Sequence, residues 1–108
     1  MILIFGGAYQ GKTAYAREHF GDKTIVNNFE RIVLDWIKAG ECLENNLQHF
    51  IEKNSSSVIV CTDISCGVVP IDPTMRKWRE CVGRAMVLLT QKSNKVIRIY
   101  CGIPTTLK

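Results

Sequence analysis

The sequence predicts a three-layer α/β domain with a small, mostly parallel sheet, and three observations carry that prediction. Short apolar runs that read as buried strands recur at Ile2–Phe5, Thr24–Val26, Val58–Cys61 and Val96–Cys101. Helical stretches lie between them in the order β-α-β-α-α-β-α-β, and helical crossovers make the strands parallel, with helices on both faces. The first strand runs directly into Gly6-Gly7-Ala8-Tyr9-Gln10-Gly11-Lys12-Thr13, which fits the phosphate-loop pattern G-x-x-x-x-G-K-[ST].

Taken in order, Ile2–Phe5 is the strand that the motif requires before it, and Lys12–Phe20 is the helix it requires after it. Tyr15, Ala16, His19 and Phe20 share one face of that helix, which points His19 toward the core, and Gly21 stands where a left-handed stop is expected. After the Thr24–Val26 strand, Asn27 reads as an N-cap with Glu30 at the third helical position, the spacing of a capping box. Phe29, Ile32, Val33, Trp36 and Ile37 follow on one helical face, and Gly40 ends the helix. The next helix is predicted over Glu41–Lys53, with Leu43, Leu47, Phe50 and Ile51 inward, and Asn54–Ser57 form a loop. Beyond the Val58–Cys61 strand, Ile64–Ile71 is expected to be an ordered loop with a brief extended piece at Val68-Val69. Asp72-Pro73 is a helix entry, aspartate as cap and proline at the first position, for a helix reaching about Ser93. Met75, Trp78, Val82, Ala85, Met86 and Leu89 form its apolar face. The last strand, Val96–Cys101, is expected to end at Gly102-Ile103-Pro104.

The chain of 108 residues is read as one domain, residues 1–108, with no linker, repeat or low-complexity segment. At 46% hydrophobic and 22% charged residues it has ordinary globular composition. Its net charge of +4 favours anionic ligands, but no block of Lys and Arg marks a nucleic-acid partner. No apolar run reaches membrane-spanning length, so a cytoplasmic location is the expectation. Five cysteines, Cys42, Cys61, Cys66, Cys81 and Cys101, contain no C-x-x-C pair and imply neither a zinc site nor a disulfide framework. Cys61 and Cys101 read as small buried hydrophobes, and Cys66 as a loop residue.

The chemistry centres on the loop. Gly6 and Gly11 allow a turn whose backbone N–H groups, from Gly6 through Gly7, Ala8, Tyr9 and Gln10, face phosphate oxygens, and the following helix adds its positive end. Lys12 is expected to reach the β- and γ-phosphates and Thr13 to offer its hydroxyl to Mg²⁺, with ATP or GTP as the nucleotide, since no motif recognises the base. Ligands of such sheets lie beyond the carboxyl ends of the strands, which places Gly6–Thr13, Thr62–Gly67 and Gly102–Pro104 on one rim. Asp63, at the end of a buried strand, has three readings: an orienter of Mg²⁺ or its waters, a base toward an acceptor hydroxyl, or a turn-capping loop residue. Asp35 falls on the polar face of its helix. Arg76, Arg79 and Arg84 either bind substrate phosphate or stand solvated. His19 and His49 read as packing or surface residues rather than nucleophiles. The helices carrying Trp36 and Trp78 leave a homo-oligomer open.

Two distant blocks resemble a known family. The first is Met1–Ala8 running into Gly11-Lys12-Thr13. The second lies between Val58 and Lys108 and includes Gly67-Val68-Val69-Pro70, Arg76-Lys77-Trp78-Arg79-Glu80, Gly83-Arg84 and Cys101-Gly102-Ile103-Pro104. Together they are similar to the bifunctional adenosylcobinamide kinase/adenosylcobinamide-phosphate guanylyltransferases of cobalamin biosynthesis. The resemblance implies a RecA-like phosphate-loop NTPase fold and phosphorylation of a corrinoid, adenosylcobinamide, on its aminopropanol hydroxyl. It implies catalytic roles for Lys12 and Asp63, metal binding by Thr13 and Asp63, and substrate contacts from Gly67, Arg76 and Arg79. Asp63 stands where the family has glutamate, Thr62 replaces its asparagine and Ser65 a glycine. The middle of the chain, residues 27–54, is short and has no counterpart of the family's nucleophilic histidine. Two functions follow: a nucleoside-triphosphate-dependent cobinamide kinase, or a non-catalytic nucleotide-binding accessory protein of the same pathway.

Overall fold

A computed structural model describes residues 1–7, 10–64 and 72–108. Its elements are β1 (Ile2–Gly6), α1 (Lys12–Phe20), β2 (Ile25–Val26), α2 (Phe29–Lys38), α3 (Leu43–Lys53), β3 (Val58–Thr62), α4 (Pro73–Lys92), β4 (Lys95–Tyr100) and β5 (Ile103–Thr106). The strands form one sheet in the order β2-β3-β1-β4-β5. The first four are mutually parallel, and β5 runs antiparallel to β4. The α/β class with a mostly parallel sheet is therefore as the sequence predicts.

The central strands are apolar throughout because both faces are covered. Leu3, Ile59, Cys61 and Val96 face α2, α3 and α4, where they meet Phe29, Val33, Leu47, Val82 and Leu89. Ile4, Val58, Val60, Ile97 and Ile99 face α1 and its Ala16. Among the described residues, three helices on one side and one on the other give an uneven three-layer stack.

Four local expectations are corrected. First, β5 was absent from the pattern. Cys101 and Gly102 both have positive φ (50° and 75°), the requirement of a two-residue hairpin turn, so the chain doubles back instead of ending. Pro104 has no N–H and sits on this edge strand, where sheets tolerate it and where it discourages edge pairing. Second, the Asn27–Glu30 capping box does not form. Asn28 is the N-cap, left-handed at φ 55° and without a side-chain cap bond, and Asn27 Oδ1 accepts from the Asn28 N–H at 3.0 Å instead. A left-handed residue costs about 1 kcal/mol, while full burial of the neighbouring Phe29 contributes roughly 1.5–3 kcal/mol, so burial decides the helix start. Third, Gly21 is right-handed at φ −65°. Its need is space, since a Cβ there would lie 2.6 Å from the Arg17 carbonyl oxygen. Fourth, His19 is exposed rather than turned inward, its ring stacked on Tyr15 at 4.0 Å.

The entry to α4 is as expected: Asp72 accepts from the N–H groups of Thr74 at 2.8 Å and Met75 at 3.4 Å, with Pro73 in the first turn. Asp35 is exposed on the polar face of α2. Trp36 and Trp78 are half-buried against the core, Trp36 edge-on to Phe29 and Phe50. The large apolar side chains left exposed among the described residues are Val87, Tyr100, Ile103 and Leu107.

Candidate functional site

The turn from β1 into α1 is held by close approach. Gly6 lies against β4 so tightly that a Cβ would collide with the Ile99 carbonyl oxygen. Gln10 is fastened to the tip of the β4–β5 hairpin: its carbonyl oxygen accepts from the Gly102 N–H at 3.0 Å, and its Oε1 accepts from the Cys101 N–H. Gly11 then takes the left-handed conformation, φ 86°, that admits the chain into α1. Gly102, expected on the same rim as the loop, is there; Pro104 is carried away on β5.

The N-terminus of α1 carries no side-chain cap and no acid in its first turn. Its first intrahelical bond runs from the Tyr15 N–H to the Gly11 carbonyl at 3.0 Å, so the N–H groups of Lys12, Thr13 and Ala14 point out of the helix end. Lys12 is almost fully buried and its Nζ donates to the Gly7 carbonyl oxygen at 2.6 Å. Burial lowers its pKa from the usual lysine value, opposed by the negative charge of Glu30 and, more weakly, by the Cys61 thiol. An uncapped helix end with a buried lysine beside it is an arrangement that favours an anion.

Facing it is a cavity of about 510 Å³, lined by Gln10–Ala14, Asn27, Asn28, Glu30, Arg31, Thr62, Ile64 and Trp78. The Thr13 hydroxyl donates to Asn27 Oδ1 at 3.1 Å. The Asn27 amide orientation follows from its second bond, because only the oxygen can accept from the Asn28 N–H. Glu30 is buried, with Oε2 accepting from the Thr62 N–H at 3.4 Å, while its own carbonyl oxygen accepts from Trp78 Nε1 at 2.7 Å. No group of three or more His, Cys, Asp or Glu able to hold a metal ion occurs among the described residues. The described residues therefore do not form an all-protein metal cage. A Mg²⁺ carried by nucleotide phosphates fits, since such an ion takes only one or two protein oxygens, and Thr13 and Glu30 supply oxygen donors in the same cavity.

Of the residues the sequence singled out, Gly6, Gly7, Gln10, Gly11, Lys12 and Thr13 come together at the carboxyl rim of the sheet. Ala8, Tyr9, Gly67, Cys66 and the Val68-Val69 piece lie outside the described residues. Asp63 is on the rim, its N–H donating to the Gly6 carbonyl at 2.8 Å, but it lines a different, mostly apolar groove with Phe5, Val82, Gly83 and Met86. The structure thus does not bring Asp63 into the cavity with Lys12 and Thr13. Arg76 is exposed and Arg79 half-buried on α4, and neither lines that cavity. Arg84 pairs at the surface with Glu44 at 3.6 Å. His49 is exposed, and neither histidine lines the cavity. Cys61 is buried as expected, its thiol pushed up to about 12 by burial and by Glu30 and Asp63; Cys101 is exposed, because it occupies the hairpin turn. The residues missed by sequence reasoning are Asn27, Glu30 and Trp78, whose sequence pattern is that of a cap, a capping-box partner and an apolar-face residue.

No curated protein matches the chain by sequence. A family profile does: cobinamide kinase / cobinamide phosphate guanyltransferase, over residues 35–107. The match takes in the last turn of α2, then α3, β3, α4 and the β4–β5 hairpin. It leaves out the Gly6–Thr13 loop, Asn27 and Glu30, so that half of the cavity is observed independently of the family match, while Thr62, Ile64 and Trp78 lie within it. Extending over about two thirds of the 108 residues, the match shows that the chain belongs to the cobinamide kinase / cobinamide phosphate guanyltransferase family.

Proposed function

We propose that this protein is a cobinamide kinase of cobalamin biosynthesis that uses ATP or GTP. The observation that carries the reading is the uncapped N-terminus of α1 beside the buried Lys12, set in a member of a cobinamide-processing family. Phosphoryl transfer asks a protein chiefly for positioning and charge neutralisation, which a small domain can supply. In this reading the N–H groups of Lys12, Thr13 and Ala14 hold the β-phosphate, and Lys12 Nζ exchanges the Gly7 carbonyl for phosphate oxygens. A Mg²⁺ bound with the nucleotide would neutralise the phosphate charge. Thr13 would offer its hydroxyl oxygen to that ion while its hydrogen stays directed at Asn27 Oδ1. The acceptor is an adenosylcobinamide-like corrinoid, with Asp63, Arg76 and Arg79 as proposed contacts on the α4 side; Gly67, the fourth contact that the family resemblance implies, lies outside the described residues.

The second reading is a non-catalytic nucleotide-binding accessory protein. It is favoured by the neutral Asn27, rather than an acid, against the Thr13 hydroxyl. One assay separates the two: transfer of label from [γ-³²P]ATP or GTP with and without cobinamide. A kinase gives labelled cobinamide phosphate that disappears in Lys12→Ala; nucleotide binding without labelled product in any condition supports the accessory protein.

A further inference from the structure

We infer that Glu30 is the carboxylate of the nucleotide site, the group that meets the nucleotide's divalent cation directly or through its bound water. The inference rests on the nucleotide-binding reading above and assigns a role that the strand-end acid Asp63 would otherwise hold. Among the described residues lining the Lys12 cavity, Glu30 is the sole carboxylate. It is 6% exposed, yet among the described residues its carboxylate accepts one hydrogen bond, the long one from the Thr62 N–H at 3.4 Å. An ionised carboxylate has about four acceptor sites, so a buried one with a single long bond is built for a further positive partner. Lys12 feels the Glu30 charge, but its Nζ donates to the Gly7 carbonyl and no ion pair joins the two side chains among the described residues. Helix capping is not its role either, because α2 begins at Asn28 with no side-chain cap bond.

The surroundings hold this carboxylate in place. Trp78 clamps the Glu30 carbonyl from α4 at 2.7 Å, and β3 supplies the Thr62 N–H. Trp78 thus holds the Glu30 backbone and Thr62 its side chain, at a cavity whose other side-chain oxygens, on Gln10, Thr13, Asn27, Asn28 and Thr62, are neutral. A hard dication with phosphate ligands gains most from one charged oxygen in such a set.

The experiment compares nucleotide affinity with Mg²⁺ and with EDTA by titration calorimetry, using a non-hydrolysable ATP analogue and its GTP counterpart, and adds Mn²⁺ electron paramagnetic resonance. In the parent protein Mg²⁺ strengthens binding. In Glu30→Gln, which keeps the acceptor for Thr62, the metal-dependent gain falls at least about tenfold, metal-free affinity stays or rises, and the bound Mn²⁺ signal weakens. Glu30→Asp restores part of the gain, and Asp63→Asn keeps all of it. If Glu30 only balances the charge of Lys12, Glu30→Gln shifts affinity equally with and without metal, and the inference is overturned. A metal gain lost in Asp63→Asn overturns it too. A parent protein that binds neither nucleotide in either condition would overturn the nucleotide-binding reading itself.

Discussion

The indole Nε1 of Trp78 donates to the Glu30 carbonyl oxygen at 2.7 Å, tying α4 to the first turn of α2 at the wall of the Lys12 cavity. The bond crosses 48 residues of sequence and joins two helices that the chain separates by α3 and β3. Trp78→Phe keeps an aromatic ring in the core but leaves the carbonyl without this donor. A buried hydrogen bond of this kind is worth about 1 kcal/mol. Urea unfolding should show a loss of that size with an unchanged m-value. A variant as stable as the parent would mean that the bond contributes nothing net.

Cys61 makes a prediction about alkaline pH. Its folded thiol is raised to about 12 from an ordinary 9.0 by burial and the charges of Glu30 and Asp63. Above pH 9 the unfolded thiol loses its proton while the folded one keeps it. The folded state then holds more protons, so stability falls as pH rises through that window. Over the first ~1.5 pH units the loss from this group is about 2 kcal/mol. Lys12 has the opposite slope, because burial lowers its pKa and the unfolded amine holds its proton longer. Comparing Cys61→Ala with the parent sets the two apart: the variant starts less stable at neutral pH and loses less above pH 9. Equal slopes in the two proteins would refute the burial-driven shift. In the folded parent at pH 8, a thiol reagent should modify the exposed Cys42 and Cys101 and spare Cys61 and Cys81.

The sequence made the sheet legible because strands buried on both faces are continuous apolar runs, and the loop legible because its residues are consecutive. Less local features were hidden. The Cys101-Gly102 turn lacks the usual Asn-Gly or Asp-Gly signature, and every residue of β5 is exposed, so no alternation announced a strand. Glu30 had the spacing of a capping-box residue. What makes it a cavity wall is the placing of β2 beside β3 and of α4 over α2, which brings Thr62 and Trp78 to it from far along the chain. Asp63 obeyed the strand-end rule and lies on the correct rim. The rule does not say into which of two neighbouring grooves its side chain turns.

Guanylyl transfer through a histidine is not supported by where the two histidines lie. His19 Nδ1 is 3.2 Å from the Tyr15 carbonyl oxygen, about two turns down α1 and roughly 10 Å along its axis from the phosphate end. His49 is exposed near the C-terminal end of α3, a helix that leads to the opposite rim of the sheet. A phosphate-bound histidine must hold its nitrogen in line with the leaving pyrophosphate. Incubation with [α-³²P]GTP followed by denaturing electrophoresis and intact mass should therefore show no GMP adduct. An acid-labile adduct mapped to His19 or His49 would mean that a transferase site forms, for instance between copies of the chain.

The central claim is that nucleotide phosphates bind at the α1 terminus through Lys12. The most direct measurement is nucleotide affinity by titration calorimetry in the parent and in a folded Lys12→Ala protein, with Mg²⁺ and either ATP or GTP. Loss of a charge-assisted phosphate contact predicts at least about tenfold weaker binding, with the melting temperature unchanged or raised, since the substitution removes a buried charge. Unchanged affinity in Lys12→Ala would contradict the account.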